Sequence, residues 1–279
     1  MPAMFERLLV PIEDGEFATR AMDAGVALAA QLGASITGFV ADRPVPQPSM
    51  GVVTISEDEI PSVAELRSQE RAKLLLGRFE KRARRAGVPF SGHHRHTDDV
   101  DGEIARTALE RQCDMIVMVT HDRDSLGRLL FGSHTREVLQ RTRLPVLVLH
   151  GASVAPKAFK HLLVPVDGSE LADHAMRQGI DLARQLGASV TGLAPEMPTR
   201  AEPVLAEFAR CAAASGVAFD GRHVSTQRND EAIIECARET GCDMIVMATH
   251  GRGWFGQLLF GSSTMRVMAH CDLPLLVLH

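Results

Sequence analysis

The strongest constraint on this chain of 279 residues is an internal repeat. Three segments of the first half recur in the second half in the same order. The pairs are LLVPI (8–12) and LLVPV (162–166), AMDAGVALAAQLGASITG (21–38) and AMRQGIDLARQLGASVTG (175–192), and CDMIVMVTH (113–121) and CDMIVMATH (242–250). Similarity over such long stretches indicates gene duplication, so both copies should fold into the same unit.

The repeat divides the chain into two predicted domains, residues 1–152 and residues 157–279. A stretch rich in alanine, proline and glycine, GASVAPKAF at 151–159, contains the predicted linker. The first copy is longer by about 25 residues, which fall within 42–80. They include the proline-rich DRPVPQPSMG, which indicates an extended surface loop.

Strand and helix patterns alternate within each copy. In the second copy the predicted strands are HLLVPV, ASVTGLA, VAFDGRHV, CDMIVMA and LPLLVLH, and the predicted helices cover 170–186, 199–215, 230–240 and 262–270. The strands are largely apolar, which is typical of a parallel sheet with helices on both faces. This alternation predicts an α/β, Rossmann-like fold in which each copy forms an open, doubly wound sheet of five parallel strands.

Each copy ends in an apolar strand, LPVLVLH or LPLLVLH. Such a strand at the edge of a sheet is an aggregation hazard unless another strand covers it. We therefore expect the two last strands to pair, so that the copies pack as a pseudo-dimer within one chain. A further homodimer of whole chains remains open.

Composition excludes several classes of protein. The formal net charge of −5 provides no basic surface for nucleic acid or an anionic membrane. No uninterrupted apolar run approaches the ~18 residues of a membrane span. The cysteines form no CxxC pair, and the first residues lack the pattern of an export signal, so reduced thiols and a cytoplasmic location are expected.

Two loops of the second copy have the composition of an anion site. Asp167, Gly168 and Ser169 follow its first strand, and residues 249–253 follow its fourth strand and lead to a helix that begins after Gly261. In an open α/β sheet, ligands bind at the carboxyl ends of the strands where the strand order reverses. Glycines let backbone N–H groups converge, and a helix N-terminus adds free N–H groups, so these loops predict phosphate binding.

Known catalytic and nucleotide motifs do not account for these loops. GRGWFG at 251–256 matches G-x-G-x-x-G, but it follows the fourth strand and lacks the acidic residue of a dinucleotide site. The P-loop pattern is absent, and FGSS at 260–263 differs from the G-x-S-x-G turn of hydrolases. No catalytic residue is therefore assigned.

The glycine spacing resembles that of the universal stress protein family. The nucleotide motif of that family is a glycine, two residues, a second glycine, nine residues, and then glycine with serine or threonine. Here Gly251 is followed after nine residues by Gly261 and Ser262, behind the strand DMIVMATH. The resemblance covers nearly the whole chain in two tandem copies, including the LLVPVDGS opening and the LPLLVLH last strand.

The resemblance implies an ATP site in the second copy, with a divalent ion such as Mg²⁺ or Mn²⁺. Asp167 would contact the nucleoside side, the backbone near Ala194 would meet adenine, and the glycines and serines would hold the phosphates. The predicted binding residues are Pro165, Val166, Asp167, Ala194, Ala248, His250, Gly251, Arg252, Gly253, Gly261, Ser262, Ser263 and Thr264. Two positions depart from the family pattern, because Ala248 replaces the first motif glycine and Pro195 lacks an N–H for adenine.

The first copy differs at the same positions. The changes are Asp122 for Gly251, Asp124 for Gly253, Glu13 for Asp167 and Asp14 for Gly168. Two like charges ~4 Å apart repel by about 4 kcal/mol at an effective dielectric near 20, so phosphate should be excluded from this copy.

The acidic loops of the first copy and HHRHTDD at 93–99 contain candidate metal ligands. Alternate residues of a strand face the same side, so His94 and His96 should point together while His93 points away. A metal site and a solvated edge strand both remain open for this segment. His121 and His250 occupy the same position in the two copies, which favours a structural role for that position.

The leading functional hypothesis is an ATP-binding protein with a regulatory or stress-response role, whose nucleotide lies in the second domain. One alternative is slow ATP hydrolysis or phosphoryl transfer, for which the sequence shows no general base. Another is an interaction scaffold that binds no nucleotide and has a metal site in the first domain. The expected partner is ATP or another adenine nucleotide, and neither nucleic acid nor a membrane.

Overall fold

The computed structural model of the protein describes most of the chain. The described residues are 4–15, 17–43, 63–120, 122–123, 129–130, 133–150, 157–194, 198–226, 228–252, 258–259 and 262–279. The first half contains β1 (Arg7–Pro11), α1 (Ala18–Leu32), β2 (Ser35–Asp42), α2 (Val63–Arg85), β3 (Phe90–His96), α3 (Val100–Glu110), β4 (Met115–Thr120), β5 (Asp122–Arg123), β6 (Leu129–Leu130), α4 (Ser133–Arg141) and β7 (Val146–His150). The second half contains β8 (His161–Pro165), α5 (Glu170–Leu186), β9 (Ser189–Ala194), α6 (Pro198–Ala214), β10 (Phe219–His223), α7 (Asn229–Thr240), β11 (Met244–Ala248), β12 (His250–Arg252), β13 (Leu258–Leu259), α8 (Ser262–His270) and β14 (Leu275–Leu278).

Ten of these strands form one sheet in the order β10-β9-β8-β11-β14-β7-β4-β1-β2-β3. Within each half the neighbouring strands are parallel, and the strand order reverses between β1 and β4 and between β8 and β11. At the centre β7 and β14 are antiparallel, with Leu276 opposite Leu147. The doubly wound five-stranded sheets and the pseudo-dimer joined by the last strands are therefore confirmed.

The sheet is buried on both faces because consecutive strand residues enter different cores. Leu8 and Val10 pack on the side covered by α1 and α2, whereas Leu9 packs on the side covered by α3 and α4. In the second half Leu162 and Leu163 divide in the same way between α5–α6 and α7–α8. An uninterrupted apolar strand is thus what a sheet with helices on both faces requires.

Two glutamines connect the halves between α1 and α5. Gln31 Nε2 donates to the carbonyl oxygens of Phe159 (2.6 Å) and of the last residue of α5 (2.8 Å), and its Oε1 accepts from Phe159 N (2.8 Å). Gln185, its repeat equivalent, donates to the carbonyl oxygens of Phe5 (2.9 Å) and of the last residue of α1 (3.1 Å) and accepts from Phe5 N (3.3 Å). These reciprocal bonds satisfy main-chain groups that the contact between the halves removes from water.

The structure adds to the sequence-based expectations in two places. Short antiparallel hairpins, β5–β6 and β12–β13, follow β4 and β11, where only loops were expected. Part of the insertion in the first copy lengthens a helix, because α2 has 23 residues and α6 has 17. Most of the proline-rich segment and residues 151–156 of the linker lie outside the described residues, so the domain boundaries stay a prediction. Among the described helices, none is long and apolar enough to cross a membrane.

Candidate functional site

Each half forms a cleft at the carboxyl ends of its strands, where the strand order reverses. The open space within the clefts, including the solvent at their mouths, is about 810 Å³ in the first half and about 720 Å³ in the second. This is the position at which open α/β sheets bind ligands.

The second cleft brings together six of the predicted residues. Its described lining consists of Pro165, Val166, Asp167, Ser169, Leu171, Ala172, Ala175, Asn229, Ile233, Met247, Ala248, Ser263 and Thr264. The sequence-based prediction missed the residues contributed by the first turns of α5 and α7, such as Ala172 and Asn229. The rule that ligands lie beyond the carboxyl ends of strands could have found them, because both helices begin at that edge.

The turn after β8 holds Asp167 at the cleft. Ser169 N donates to Asp167 Oδ1 (3.0 Å), and Ser169 Oγ accepts from Ala172 N (3.2 Å), which caps the N-terminus of α5. Gly168 between them has a φ of 77°, a left-handed conformation that favours glycine. The exposed Asp167 carboxylate is therefore positioned by a bond from its own turn.

Main-chain groups near the predicted adenine contact already have partners in the sheet. Val166 N donates to the Leu193 carbonyl oxygen (2.8 Å), and the buried Ala194 accepts at its carbonyl oxygen from Val224 N (3.3 Å). Ala194 does not belong to the described lining of the cleft. An adenine bound here would have to use other main-chain groups or apolar contact with Val166.

The segment after β11 carries the predicted phosphate loop. Thr249 is fully buried, and its N and Oγ1 both donate to the Leu278 carbonyl oxygen (2.8 and 3.1 Å), which ties this segment to β14. In the β12–β13 hairpin that follows, the strand register shifts between His250 and Arg252, on either side of Gly251. The side chains of His250 and Arg252, together with the whole of Gly253, lie outside the described residues.

The first turn of α8 reaches the same cleft. The helix begins at Ser262, as predicted, and Ser263 and Thr264 belong to the cleft lining. The first backbone N–H groups of a helix have no partner within it and carry partial positive charge, so they attract an anion. The structure therefore places this helix start and Asp167 in one cleft. Gly261 and the side chain of Ser262 lie outside the described residues.

The first cleft uses mostly the repeat-equivalent positions. Its described lining consists of Pro11, Glu13, Asp14, Gly15, Phe17, Ala18, Ala21, Ile104, Met118, Val119, Thr120, His134 and Thr135. His134 stands where the second half has Ser263, and its Nδ1 lies 2.7 Å from Asp101 Oδ1. Glu13 and Asp14 are exposed carboxylates, whereas the side chain of Asp122 and the whole of Asp124 lie outside the described residues.

The histidine cluster lies on β3, the terminal strand of the sheet. The rings of His94 and His96 are 4.7 Å apart, and His93 stacks on Phe39, so the predicted alternation is confirmed. His94 Nε2 lies 3.1 Å from Asp42 Oδ2. Burial acts to raise the pKa of Asp42, but bonds from Ser68, Arg71 and His94 hold it below its ordinary value. In the described part of the chain, no group of three His, Cys, Asp or Glu residues is placed to hold a metal ion.

The cysteines offer no activated nucleophile. All five are free, and burial raises the pKa of each thiol, to about 11 for Cys236. Cys113 and Cys242 are buried at strand entrances, as small apolar residues would be. A thiol with a raised pKa stays protonated near neutral pH and is a poor nucleophile.

Similarity to known proteins covers both halves of the chain. The model of the universal stress protein family matches residues 4–150 and 192–279. A universal stress protein of Mycolicibacterium smegmatis is 30% identical over 195 residues, which are 62% of this chain and 65% of that protein. The chain thus spans slightly less than two thirds of the length of that relative.

A solved structure matches the architecture of the whole chain. A universal stress protein from Archaeoglobus fulgidus covers 100% of this chain and 99% of its own, with a TM-score of 0.77 at 17% identity. A shorter one from the same organism, solved in complex with dAMP, covers 43% of this chain and 98% of its own, with a TM-score of 0.36 at 18% identity. Because the family model matches most of the sequence, the chain belongs to the universal stress protein family.

Proposed function

We propose that the chain is an ATP-binding protein with a regulatory role in the stress response, and that the second cleft holds the nucleotide. One observation carries the proposal. A single cleft at the strand-order reversal contains the Asp167 carboxylate, held by the Ser169 N–H, and the first turn of α8.

The two kinds of surface in this cleft suit the two ends of ATP. Ile233, Met247 and Ala175 offer apolar surface for adenine. The first turn of α8, with the hydroxyl of Ser263, offers donors for phosphate oxygens. The glycines 251, 253 and 261 would add backbone donors, and Arg252 would add a positive charge.

A divalent cation is expected to bind together with the nucleotide. Mg²⁺ and Mn²⁺ take oxygen ligands and usually draw several of them from phosphates and water. Asp167 is the carboxylate in the described lining, so the protein contributes few ligands of its own. The dAMP complex of the shorter Archaeoglobus fulgidus protein is a property of that protein, and the present proposal rests on this chain's own residues.

Calorimetric titration of the purified chain with ATP and magnesium tests the proposal. One nucleotide per chain is expected, because the first cleft has Glu13 and Asp14 where the second has one carboxylate. No binding would favour a scaffold that uses no nucleotide, and two equal sites would show that the acidic residues do not exclude phosphate.

Turnover is expected to be negligible, because the described cleft offers phosphate donors without an evident activator of water. Phosphate release should be far below ~1 s⁻¹, the low end of ordinary turnover numbers. Release of several phosphates per second that disappears in His250→Ala would instead support an enzyme.

A further inference from the structure

Helix α2 of the first half carries a large excess of positive charge. Its 23 residues include eight Lys or Arg and three Glu, a net charge of +5, whereas the net charge of the whole chain is −5. The equivalent helix of the second half, α6, has two Arg and two Glu. Both helices bury a phenylalanine at the same repeat position, Phe79 and Phe208, so the fold does not require the charge of α2. The net charge of the chain, from which no basic surface was expected, therefore conceals a local one.

Four of the basic residues and one leucine form a stripe on the outer side of α2. Arg67, Leu74, Arg78, Lys81 and Arg85 follow one another at spacings of seven, four, three and four residues. This spacing places them within about 60° of one another around the helix axis and along about 27 Å of its length. All five are exposed, and the opposite side of the helix packs in the core. Such a face can contact a flat surface along its whole length.

The cations of the stripe have no acidic partners, unlike others on α2. On the flanks of the helix, Arg82 pairs with Asp23 (2.9 Å) and Arg84 with Glu80 (2.8 Å). Among the described residues, no carboxylate lies within ion-pair distance of the four cations of the stripe. On α2 itself, Glu70 is the acidic residue next to them. The stripe can therefore attract an anionic surface without first breaking ion pairs.

The same helix exposes apolar side chains. Val63, Leu66 and Leu74 are 67%, 47% and 69% exposed, and they are three of the five exposed large apolar residues of the described chain. Aliphatic side chains in a basic face gain free energy from contact with hydrocarbon, which a nucleic acid backbone does not offer. The one aromatic residue of α2, Phe79, is buried, so no ring is exposed for stacking with a base. This combination favours a lipid surface over a nucleic acid.

We propose that α2 docks the chain on a membrane surface rich in anionic phospholipid. The cations of the stripe would contact lipid phosphates, and Leu74, with Val63 and Leu66, would enter the boundary between headgroups and acyl chains. Acidic residues elsewhere in the chain oppose this contact weakly, because charges more than about 8 Å apart are largely screened at physiological ionic strength. The docking surface lies outside both clefts, so the proposal goes beyond nucleotide binding and does not depend on it.

Sedimentation of the full chain with lipid vesicles tests the docking. Binding is expected to vesicles made of equal parts of phosphatidylcholine and phosphatidylglycerol, and not to vesicles of phosphatidylcholine alone. Binding should weaken strongly when the salt concentration is raised to about 1 M, where the Debye length is about 3 Å. Absence of binding to the anionic vesicles, or equal binding to both kinds, would overturn the proposal.

A variant that lacks three charges tests the stripe itself. Arg78→Gln/Lys81→Gln/Arg85→Gln should weaken binding to the anionic vesicles by about a hundredfold, since each cation near such a membrane contributes roughly fivefold. The three side chains are exposed, so the variant should stay folded, which thermal denaturation checks.

The matched control removes the same charge from the second half. Arg177, Arg184 and Arg238 are exposed arginines of α5 and α7. Arg177→Gln/Arg184→Gln/Arg238→Gln should bind the anionic vesicles as the wild type does. An equal loss in the control would show that net charge governs the binding, and would contradict docking through α2.

Leu74 distinguishes a membrane from other anionic partners. The chain has one tryptophan, which Trp254→Phe removes, so that Leu74→Trp then places a single indole in the stripe. Its fluorescence should shift to the blue on anionic vesicles, because the indole enters the apolar boundary. In the otherwise wild-type chain, Leu74→Gln should weaken vesicle binding by about tenfold. An unshifted spectrum, or full affinity of Leu74→Gln, would overturn the proposal. Equally tight binding of duplex DNA, unaffected by Leu74→Gln, would assign the stripe to nucleic acid instead.

Discussion

The two clefts of this chain share their floors and differ at their mouths. Ile104 and Met118 match Ile233 and Met247 because these side chains also fill the core beneath the sheet, where a change of volume is costly. Glu13 and Asp14 are exposed, so changing them alters charge without disturbing packing. After a duplication, ligand chemistry can therefore diverge at the exposed rim while the buried part of the same site stays fixed by the fold.

The largest expected effect is on ATP affinity. It comes from giving the second cleft the residue that stands at the equivalent position of the first copy. Gly251→Asp should weaken ATP binding by roughly a thousandfold, since a carboxylate ~4 Å from a phosphate repels it by about 4 kcal/mol at an effective dielectric near 20. Titration calorimetry of the variant beside the wild type measures the loss. Full affinity after this change would place the nucleotide elsewhere.

The reverse change is the matched control for the first half. Asp122→Gly should not create a second ATP site, because Glu13, Asp14 and Asp124 keep the cleft acidic. The stoichiometry should stay at one ATP per chain. A stoichiometry of two would mean that this single residue accounts for the difference in ATP binding between the two clefts.

The repeat and the hydrophobic pattern were sufficient to predict the sheet. Each apolar strand appears where its pattern indicated, because local propensity and the buried pattern agree there. The pairing of β7 with β14 was also predictable, since two apolar edge strands require partners.

Other features depended on contacts between distant residues. Nothing in the local sequence marks Gln31 and Gln185 as links between the halves, because their partners are more than a hundred residues away. The glycines after β11 predicted a loop, so the β12–β13 hairpin was not expected. Asn229 was missed although the start of α7 was predicted to within one residue, because the site was assigned from the loops and the start of α8 alone.

The glutamine pair tests whether the fold has stayed symmetric while the sites diverged. Gln31→Ala and Gln185→Ala should each lower the free energy of unfolding by about 1–3 kcal/mol, since each leaves main-chain groups at the contact between the halves without partners. Urea denaturation of both variants measures the effect. Similar losses are expected, and a loss confined to one variant would contradict structural symmetry.

His279, which follows the last strand of the second half, should make stability depend on pH. Burial lowers the pKa of His279 to about 4, against an ordinary value near 6.5 in the unfolded chain. Between these values the unfolded state binds more protons, so stability falls as the pH drops through this window, by up to about 1.4 kcal/mol per pH unit. Urea denaturation between pH 7 and pH 4 measures this fall in the free energy of unfolding, which should be shallower for His279→Asn. In the wild type, His279 Nδ1 lies 3.4 Å from Thr249 Oγ1, and asparagine keeps a polar group at this place. Identical slopes would mean that this histidine does not titrate on unfolding.

The smallest expected effect concerns the helix that follows the first strand of each copy. Ser169 caps α5 through its Oγ, whereas α1 has Phe17 at its N-cap position and no side-chain cap bond. Ser169→Ala should therefore cost about 1 kcal/mol of stability, the usual contribution of a serine cap. The exposed Ser225→Ala is the control, and its change in stability should stay within about 0.5 kcal/mol.

If thermal denaturation shows equal changes for the two variants, the cap contributes nothing. The turn that positions Asp167 would then be stabilised mainly by the Ser169 N–H bond to Asp167, which the alanine variant retains.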